Sequence, residues 1–118
     1  MAVSEAQRRH WQGRWAAETK EIERRRRAAW AKAEAAAVEL TRGWPTLAGI
    51  WVFGSVLGHG FSPQSDIDLA VEGLPAADLL AALAVAETGG PIPLDLVRLE
   101  SLPPHWQQRI RDQGRRLA

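Results

Sequence analysis

The chain contains no cysteine among its 118 residues. This absence excludes disulfide bonds, thiolate zinc sites and cysteine nucleophiles, and it agrees with a reducing compartment. Long apolar runs are missing too, because no stretch reaches the roughly 18 uncharged apolar residues of a membrane span, and the N-terminus lacks the apolar core of a signal peptide. We therefore expect a cytoplasmic protein with no membrane partner, whose chemistry depends on oxygen and nitrogen groups.

Positive charge is absent from the middle of the chain. Residues 44–96 contain six Asp or Glu and no Lys or Arg, whereas residues 1–43 and 97–118 carry net charges of +4 and +3. A nucleoside triphosphate would be repelled by this acidic middle unless metal ions accompanied it. The charge pattern therefore favours a site that binds a nucleotide together with a metal.

The basic ends would also suit a nucleic acid, and the run Arg24 to Arg27 invites that interpretation. However, Glu21 with Arg25 and Glu23 with Arg27 have the i, i+4 spacing of ion pairs along a solvated helix face. No aromatic or motif support for nucleic-acid recognition accompanies the run. Direct binding of nucleic acid is the weaker interpretation.

The N-terminal segment, residues 1–43, is rich in Ala, Glu, Arg and Lys and predicts one or two long helices between residues 4 and 42. Apolar residues recur along it at helical spacing, at positions Trp11, Trp15, Ile22, Ala29, Ala33, Ala36 and Leu40. The Ala-rich half is typical of a helix packed on a sheet. We predict that Trp11 and Trp15 contact a partner or a second copy of the chain, the alternative being that they fold back on their own domain.

The second segment, residues 44–118, has the pattern of an α/β (α+β) domain with a small mixed β-sheet and helices packed on it. Strands are expected at 48–53, 66–71 and 93–99, and a helix at 75–87. Ser101 is expected to cap a last helix that begins at Pro103 and ends at Gly114, leaving residues 115–118 as a basic tail.

Three aspartates in this segment form a candidate metal site. Residues i and i+2 of a strand share a face, so Asp66 and Asp68 would point together into a cleft while Ile67 faces the core. Asp95, from a neighbouring strand, would supply a third carboxylate. Mg²⁺ prefers such oxygen ligands completed by water and phosphates, and two ions about 3.5–4 Å apart can stabilise the attacking and leaving oxygens of a transfer.

A Gly-Ser pair precedes the aspartates at a fixed distance. Gly54 and Ser55 follow an apolar strand, where glycine would let the backbone approach a phosphate and the serine hydroxyl would add a hydrogen bond. Neither the Gly-Ser pair nor the Asp-x-Asp motif is informative alone. Together with Asp95 they predict a metal-nucleotide site.

The stretch from Phe53-Gly54-Ser55 through ten residues to Ser65-Asp66-Ile67-Asp68 resembles the signature of the minimal nucleotidyltransferases of the polymerase-β-like superfamily. The C-terminal residues 110–117 are similar to the tail of members paired with a HEPN-domain protein. The resemblance implies a nucleotidyltransferase fold and an antitoxin that transfers AMP from ATP to a hydroxyl, typically of a tyrosine, of a HEPN ribonuclease toxin.

The resemblance also assigns roles to residues. It implies that Gly54 and Ser55 hold the triphosphate, with Ser65 as a further nucleotide contact. It implies that Asp66 and Asp68 ligate Mg²⁺, and that Asp95 completes the metal site and helps to deprotonate the attacking hydroxyl.

One part of the family pattern is missing. Members often carry an Arg shortly after Gly-Ser, whereas residues 56–60 contain none. His59 is the candidate substitute, with an ordinary exposed histidine as the alternative, since an unperturbed histidine is mostly neutral at pH 7. Arg98 or the partner are the other candidate sources of charge.

Two rival functions remain. The chain could be a binding module that neutralises its partner by occlusion, because the cation is missing and Trp11 and Trp15 lack an obvious cover. It could also modify a small molecule, but 118 residues leave little chain for an acceptor pocket, which favours a macromolecular acceptor.

Overall fold

The structure, a computed structural model, describes residues 4–57 and 65–118. Its elements follow in chain order: helix α1 (Glu5–Gly43), strands β1 (Gly49–Phe53) and β2 (Ile67–Glu72), helix α2 (Leu79–Ala86), strand β3 (Leu94–Arg98), helix α3 (Pro104–Gln113) and the short strand β4 (Arg115–Arg116). Single 3₁₀ turns lie at Ser55–Leu57, Ala76–Asp78, Glu87–Gly89 and Leu99–Ser101. The predicted α/β class, with a long N-terminal helix, is confirmed.

The N-terminal segment forms one continuous helix. Ser4 caps α1: its hydroxyl accepts a hydrogen bond from the Gln7 backbone N–H at 3.2 Å, and the Gln7 side chain accepts one from the Ser4 N–H. This reciprocal pair satisfies two of the N–H groups that the first turn of a helix leaves without partners. The helix ends at Gly43 because Pro45 disfavours helical geometry in the residue before it.

The two halves of α1 have different surroundings. Its C-terminal half packs on the sheet through small residues, of which Ala29, Ala33 and Leu40 are almost completely buried. Residues 4–20 are exposed, including 48% of Trp11 and 64% of Trp15. The alternative that these tryptophans fold back on their own domain is therefore wrong for the described part of the chain.

The ion pairs within residues 21–27 of α1 differ in spacing from the expectation. Glu21 pairs with Arg24, and Glu23 pairs with Arg26 at 3.5 Å, so the spacing is i, i+3 rather than i, i+4. Arg25 instead turns toward the sheet, where its Nη2 donates to the Ser65 carbonyl oxygen at 3.3 Å. This contact removes Arg25 from the ion-paired face and ties α1 to the start of β2.

The sheet has the strand order β3-β2-β1-β4 and is mixed. Strand β2 pairs antiparallel with β1 and parallel with β3, while β4 pairs antiparallel with β1. Alternation along β2 buries Ile67, Leu69 and Val71 in the core shared with α1 and α2. Ala70 faces the opposite side, in a smaller cluster with Ile110 of α3. The sheet thus has α1 and α2 on one face and α3 on the other.

The C-terminal residues are not a free tail. Arg115 and Arg116 pair with Val52 and Trp51 of β1, which satisfies backbone groups that an uncovered edge strand would expose. The expected cap of the last helix is also wrong. Pro103 occupies the N-cap position of α3, and the Ser101 hydroxyl donates to the Arg98 carbonyl within the preceding 3₁₀ turn.

Candidate active site

Strand pairing brings the predicted aspartates to one face of the sheet. Asp68 of β2 lies directly beside Asp95 of β3 in the parallel register. Asp66 precedes β2 and lies two residues before Asp68, while Ile67 between them is completely buried on the other face. Asp68 shares its face with Ala70, which packs near α3. The three carboxylates therefore lie on the α3 side of the sheet.

The three carboxylates interact electrostatically. Burial raises the pKa of Asp68 above its ordinary value, and the neighbouring charges of Asp95 and Asp66 raise it further. Each of these causes disfavours the ionised form of Asp68. A cation placed among the three groups would relieve the repulsion, so the site favours binding of positive charge.

Gly54 lies against this acidic face. Its φ of +85° is a left-handed conformation that residues with a side chain rarely adopt. A β-carbon on Gly54 would overlap the Oδ2 atom of Asp68. Ser55 follows in the 3₁₀ turn, whose Leu57 N–H donates to the Gly54 carbonyl at 3.2 Å. Glycine is therefore required here both by the turn and by the adjacent carboxylate.

The other predicted site residues have less direct positions. Ser65 lies immediately before Asp66, and its carbonyl oxygen accepts the Arg25 hydrogen bond. Arg98 lies three residues after Asp95, roughly 10 Å along the strand, and its Nε donates to the Leu74 carbonyl at 2.7 Å. Arg98 thus contributes to the fold at the far end of β3. His59 lies outside the described residues.

The donor chemistry fits a hard divalent cation. All three candidate ligands are carboxylates, the oxygen donors that Mg²⁺ prefers alongside water and substrate phosphates. In residues 4–57 and 65–118, no group of three or more His, Cys, Asp or Glu side chains lies close enough together to hold a metal ion by itself. A metal here would depend on two or three carboxylates and on oxygens of the substrate.

A pocket of about 530 Å³ includes Gly54, the residue that lies against Asp68, but none of the three aspartates lines it. It lies between the end of β1 and α3, and its lining includes Phe53, Gly54, Leu57, Trp106, Arg109 and Gln113. Pockets of this size accommodate small ligands such as nucleotides. The α3 residues could not be identified from the sequence, because no local pattern shows which helix face lies against Gly54. The lack of Lys and Arg in residues 44–96 indicated only that a cation had to come from another part of the chain or from a partner.

A buried lysine supports the strand that carries Asp95. Lys32 of α1 is 2% exposed, and its ammonium pairs with Glu87 at 3.1 Å and donates to the carbonyl oxygens of Gly90 and Ile92. Glu87 in turn accepts a hydrogen bond from the Leu94 N–H at 3.1 Å. Because Leu94 precedes Asp95, this network anchors the start of β3. Its only sequence signal was a lysine on the apolar side of α1.

No helix in the described part of the chain is both long and apolar enough to span a membrane.

Solved structures of similar fold include toxin–antitoxin structures. An MntA-HpeT mutant has a TM-score of 0.60 at 26% identity, covering 72% of each chain. MntA-HepT has a TM-score of 0.54 at 27% identity, covering 73% of this chain and 69% of the other. A toxin–antitoxin with AMP-PNP has a TM-score of 0.58 at 28% identity, covering 72% of each chain.

None of the curated proteins matches the chain. The sequence model of one family, described as polymerase beta, nucleotidyltransferase, matches residues 38–118 and so includes Gly54, Ser55 and all three aspartates. The chain belongs to the polymerase beta nucleotidyltransferase family.

Proposed function

We propose that the chain is an antitoxin that transfers AMP from ATP to a hydroxyl of a HEPN-type toxin, most simply a tyrosine. The observation that carries the proposal is the shared face of Asp66, Asp68 and Asp95 beside the backbone of Gly54. Two further facts support it. The family is one of nucleotidyltransferases, and the similar solved structures are toxin–antitoxin complexes, one of them with AMP-PNP.

The reaction replaces a phosphoanhydride bond of ATP by a phosphoester bond to the acceptor. The acceptor oxygen attacks the α-phosphorus of ATP, a new P–O bond forms, and the bond to the β-phosphate oxygen breaks to release pyrophosphate. Mg²⁺, when bound, would neutralise charge on the phosphates and hold the two oxygens in line. Gly54 and Ser55 would hold the triphosphate, and Asp66 and Asp68 the metal.

Asp95 would accept the proton of the attacking hydroxyl. It is exposed and lies in register with Asp68, so an acceptor approaching the sheet face can reach it while the nucleotide is held at Gly54. Most of the barrier reduction in such transfers comes from placement and charge compensation, which three carboxylates and a glycine turn can supply together with metal.

The experiment uses the full chain, ATP labelled at the α-phosphate, Mg²⁺ and the product of the adjacent gene. Label should move to that product with wild type and should fall by at least about a hundredfold with Asp66→Ala, as expected for loss of a metal ligand. Asp112→Asn is the matched control, because Asp112 is an exposed carboxylate on α3 that accepts from Gln108. Absence of transfer by wild type, or equal transfer by Asp66→Ala, would rule out the enzymatic function.

A second candidate function, neutralisation by occlusion, is favoured by one observation. Trp11 and Trp15 are exposed on the part of α1 that precedes the family match at residue 38. If occlusion suffices, a variant lacking both Asp66 and Asp68 still protects cells that express the toxin, and deletion of residues 1–20 abolishes protection. The reverse pattern identifies catalysis as the means of neutralisation.

A further inference from the structure

A triphosphate bound at Gly54 needs positive charge that residues 44–96 do not contain. The Lys and Arg side chains of this chain that could meet it lie on α1 or in the C-terminal segment. Arg25 of α1 already donates to the Ser65 carbonyl oxygen. No side chain of α1 lines the pocket beside Gly54, so the five arginines after Asp95 are the remaining candidates among the described residues.

Four of these five have contacts away from the pocket beside Gly54. Arg98 donates to the Leu74 carbonyl and Arg111 pairs with Glu72. Arg115 and Arg116 each place their guanidinium 5.2 Å from the ring centre of a tryptophan, Trp30 and Trp51 respectively. Arg109 is different, because it lines the same pocket as Gly54.

The guanidinium of Arg109 is held in place by its own helix. It lies 5.2 Å from the ring centre of Trp106, and its Nε donates to the Gln113 side chain at 3.3 Å. Within residues 4–57 and 65–118 this is the one hydrogen bond that Arg109 makes. The four N–H donors on its two Nη atoms are therefore available to a ligand.

We propose that Arg109 contacts the phosphates of the bound nucleoside triphosphate, with Trp106 holding its guanidinium at the pocket wall opposite Gly54. The inference rests on the nucleotidyl transfer proposed above. A planar guanidinium can bind phosphate oxygens through two parallel hydrogen bonds. Its positive charge offsets the negative charge of the phosphates, which the aspartates cannot do. It supplies the cation that the family pattern places after Gly-Ser and that this chain lacks there.

Calorimetric titration of the full chain with AMP-PNP and Mg²⁺ tests the proposal. Arg109→Gln should weaken binding about tenfold, the effect of losing one charge-assisted contact, while Arg109→Lys should recover part of the loss. Adenosine binding should not change, because adenosine has no phosphate. Arg111→Gln, on the same helix but outside the pocket, should bind AMP-PNP within about twofold of wild type.

The proposal is overturned if Arg109→Gln binds AMP-PNP as tightly as wild type does, and all the more if Arg25→Gln is the variant that weakens binding. It is also overturned if wild type does not bind AMP-PNP, or if adenosine binding falls in parallel, which would assign Arg109 to the nucleoside. Thermal unfolding of each variant excludes misfolding as the cause. If AMP-PNP binding depends on Arg109 but no label reaches the toxin, the phosphate contact stands and the transfer function fails.

Discussion

The Asp68 carboxylate occupies the space into which a side chain on Gly54 would project. The two residues lie at the ends of neighbouring antiparallel strands, since Phe53 pairs with Asp68 and Gly54 follows Phe53. The turn proposed to bind phosphate and the carboxylate proposed to bind metal therefore lie in direct contact. A change in either residue should alter the position of the other.

Gly54→Ala should reduce nucleotidyl transfer at least tenfold and lower stability by about 1–2 kcal/mol. The left-handed φ accounts for the loss of stability, because a β-carbon is unfavourable in that conformation, and displacement of Asp68 accounts for the loss of activity. Gly43→Ala is the matched control, since a β-carbon there meets nothing within 4 Å. Urea unfolding and label transfer measure the two effects, and equal activity in both variants would contradict this account.

Asp68→Asn should stabilise the metal-free protein at neutral pH. The raised pKa means that folded Asp68 holds its proton more tightly than unfolded Asp68 does. Its contribution to stability is therefore fully present below the unfolded pKa of about 3.9 and is lost as the pH rises through the folded pKa. The amide cannot ionise, so the variant avoids this loss.

The check is a series of urea midpoints in EDTA across pH. The midpoint of Asp68→Asn should exceed that of wild type at about pH 7.5, and the two should converge near pH 3.5. Asp112→Asn, at an exposed carboxylate on α3, is the control for the removal of one surface charge. If Asp68→Asn is less stable than wild type at neutral pH, the ionised Asp68 carboxylate stabilises the fold rather than destabilising it.

Mg²⁺ with a nucleotide should reverse the order of stability of wild type and Asp68→Asn. A ligand that binds only the folded state stabilises it by RT ln(1 + [L]/Kd), about 2.7 kcal/mol at one hundred times Kd. AMP-PNP with Mg²⁺ should therefore raise the melting temperature of wild type, and the rise should be lost in Asp68→Asn and on addition of EDTA. An equal rise without metal would indicate that the nucleotide binds independently of the carboxylates.

The sequence predicted the acidic face because its cause is local. Alternation alone places Asp66 and Asp68 on the side opposite Ile67, and the apolar flanks of Asp95 mark a strand. The contribution of α3 was not predictable in this way, because whether Arg109 lies beside Gly54 depends on the packing of Ile110 against Trp51 and Ala70. The role of Arg115 and Arg116 as an edge strand likewise depends on which edge of β1 is left uncovered.

Lys32→Met should lower the free energy of unfolding by about 2–3 kcal/mol. The substitution leaves the carbonyl oxygens of Gly90 and Ile92 without their donor and Glu87 without its counter-ion. The start of β3 should loosen, so transfer should fall although Lys32 does not reach the pocket. Lys20→Met, on the exposed half of α1, should change neither the free energy of unfolding nor the rate of transfer. A normal transfer rate in Lys32→Met would show that the Lys32 network does not position Asp95.

Replacing both Trp11 and Trp15 by Ala should weaken partner binding at least tenfold and leave the melting temperature unchanged. Both side chains are about half exposed or more, so their loss removes little that stabilises the monomer. Large exposed aromatic groups are the residues that dominate binding energy when a partner covers them. Together with Arg8 and Gln12 they form one face of the exposed half of α1.

The control for this pair is Val38→Ala, which removes an exposed apolar side chain from the other half of the same helix. Affinity for the toxin, measured by surface plasmon resonance, should fall for the double tryptophan variant and not for the control. AMP-PNP binding should be normal in both, because none of the substituted residues lines the pocket beside Gly54. If the tryptophan variant instead loses self-association in sedimentation while keeping its affinity for the toxin, this face of α1 joins two copies of the chain. The partner must then approach the sheet face that carries Asp95.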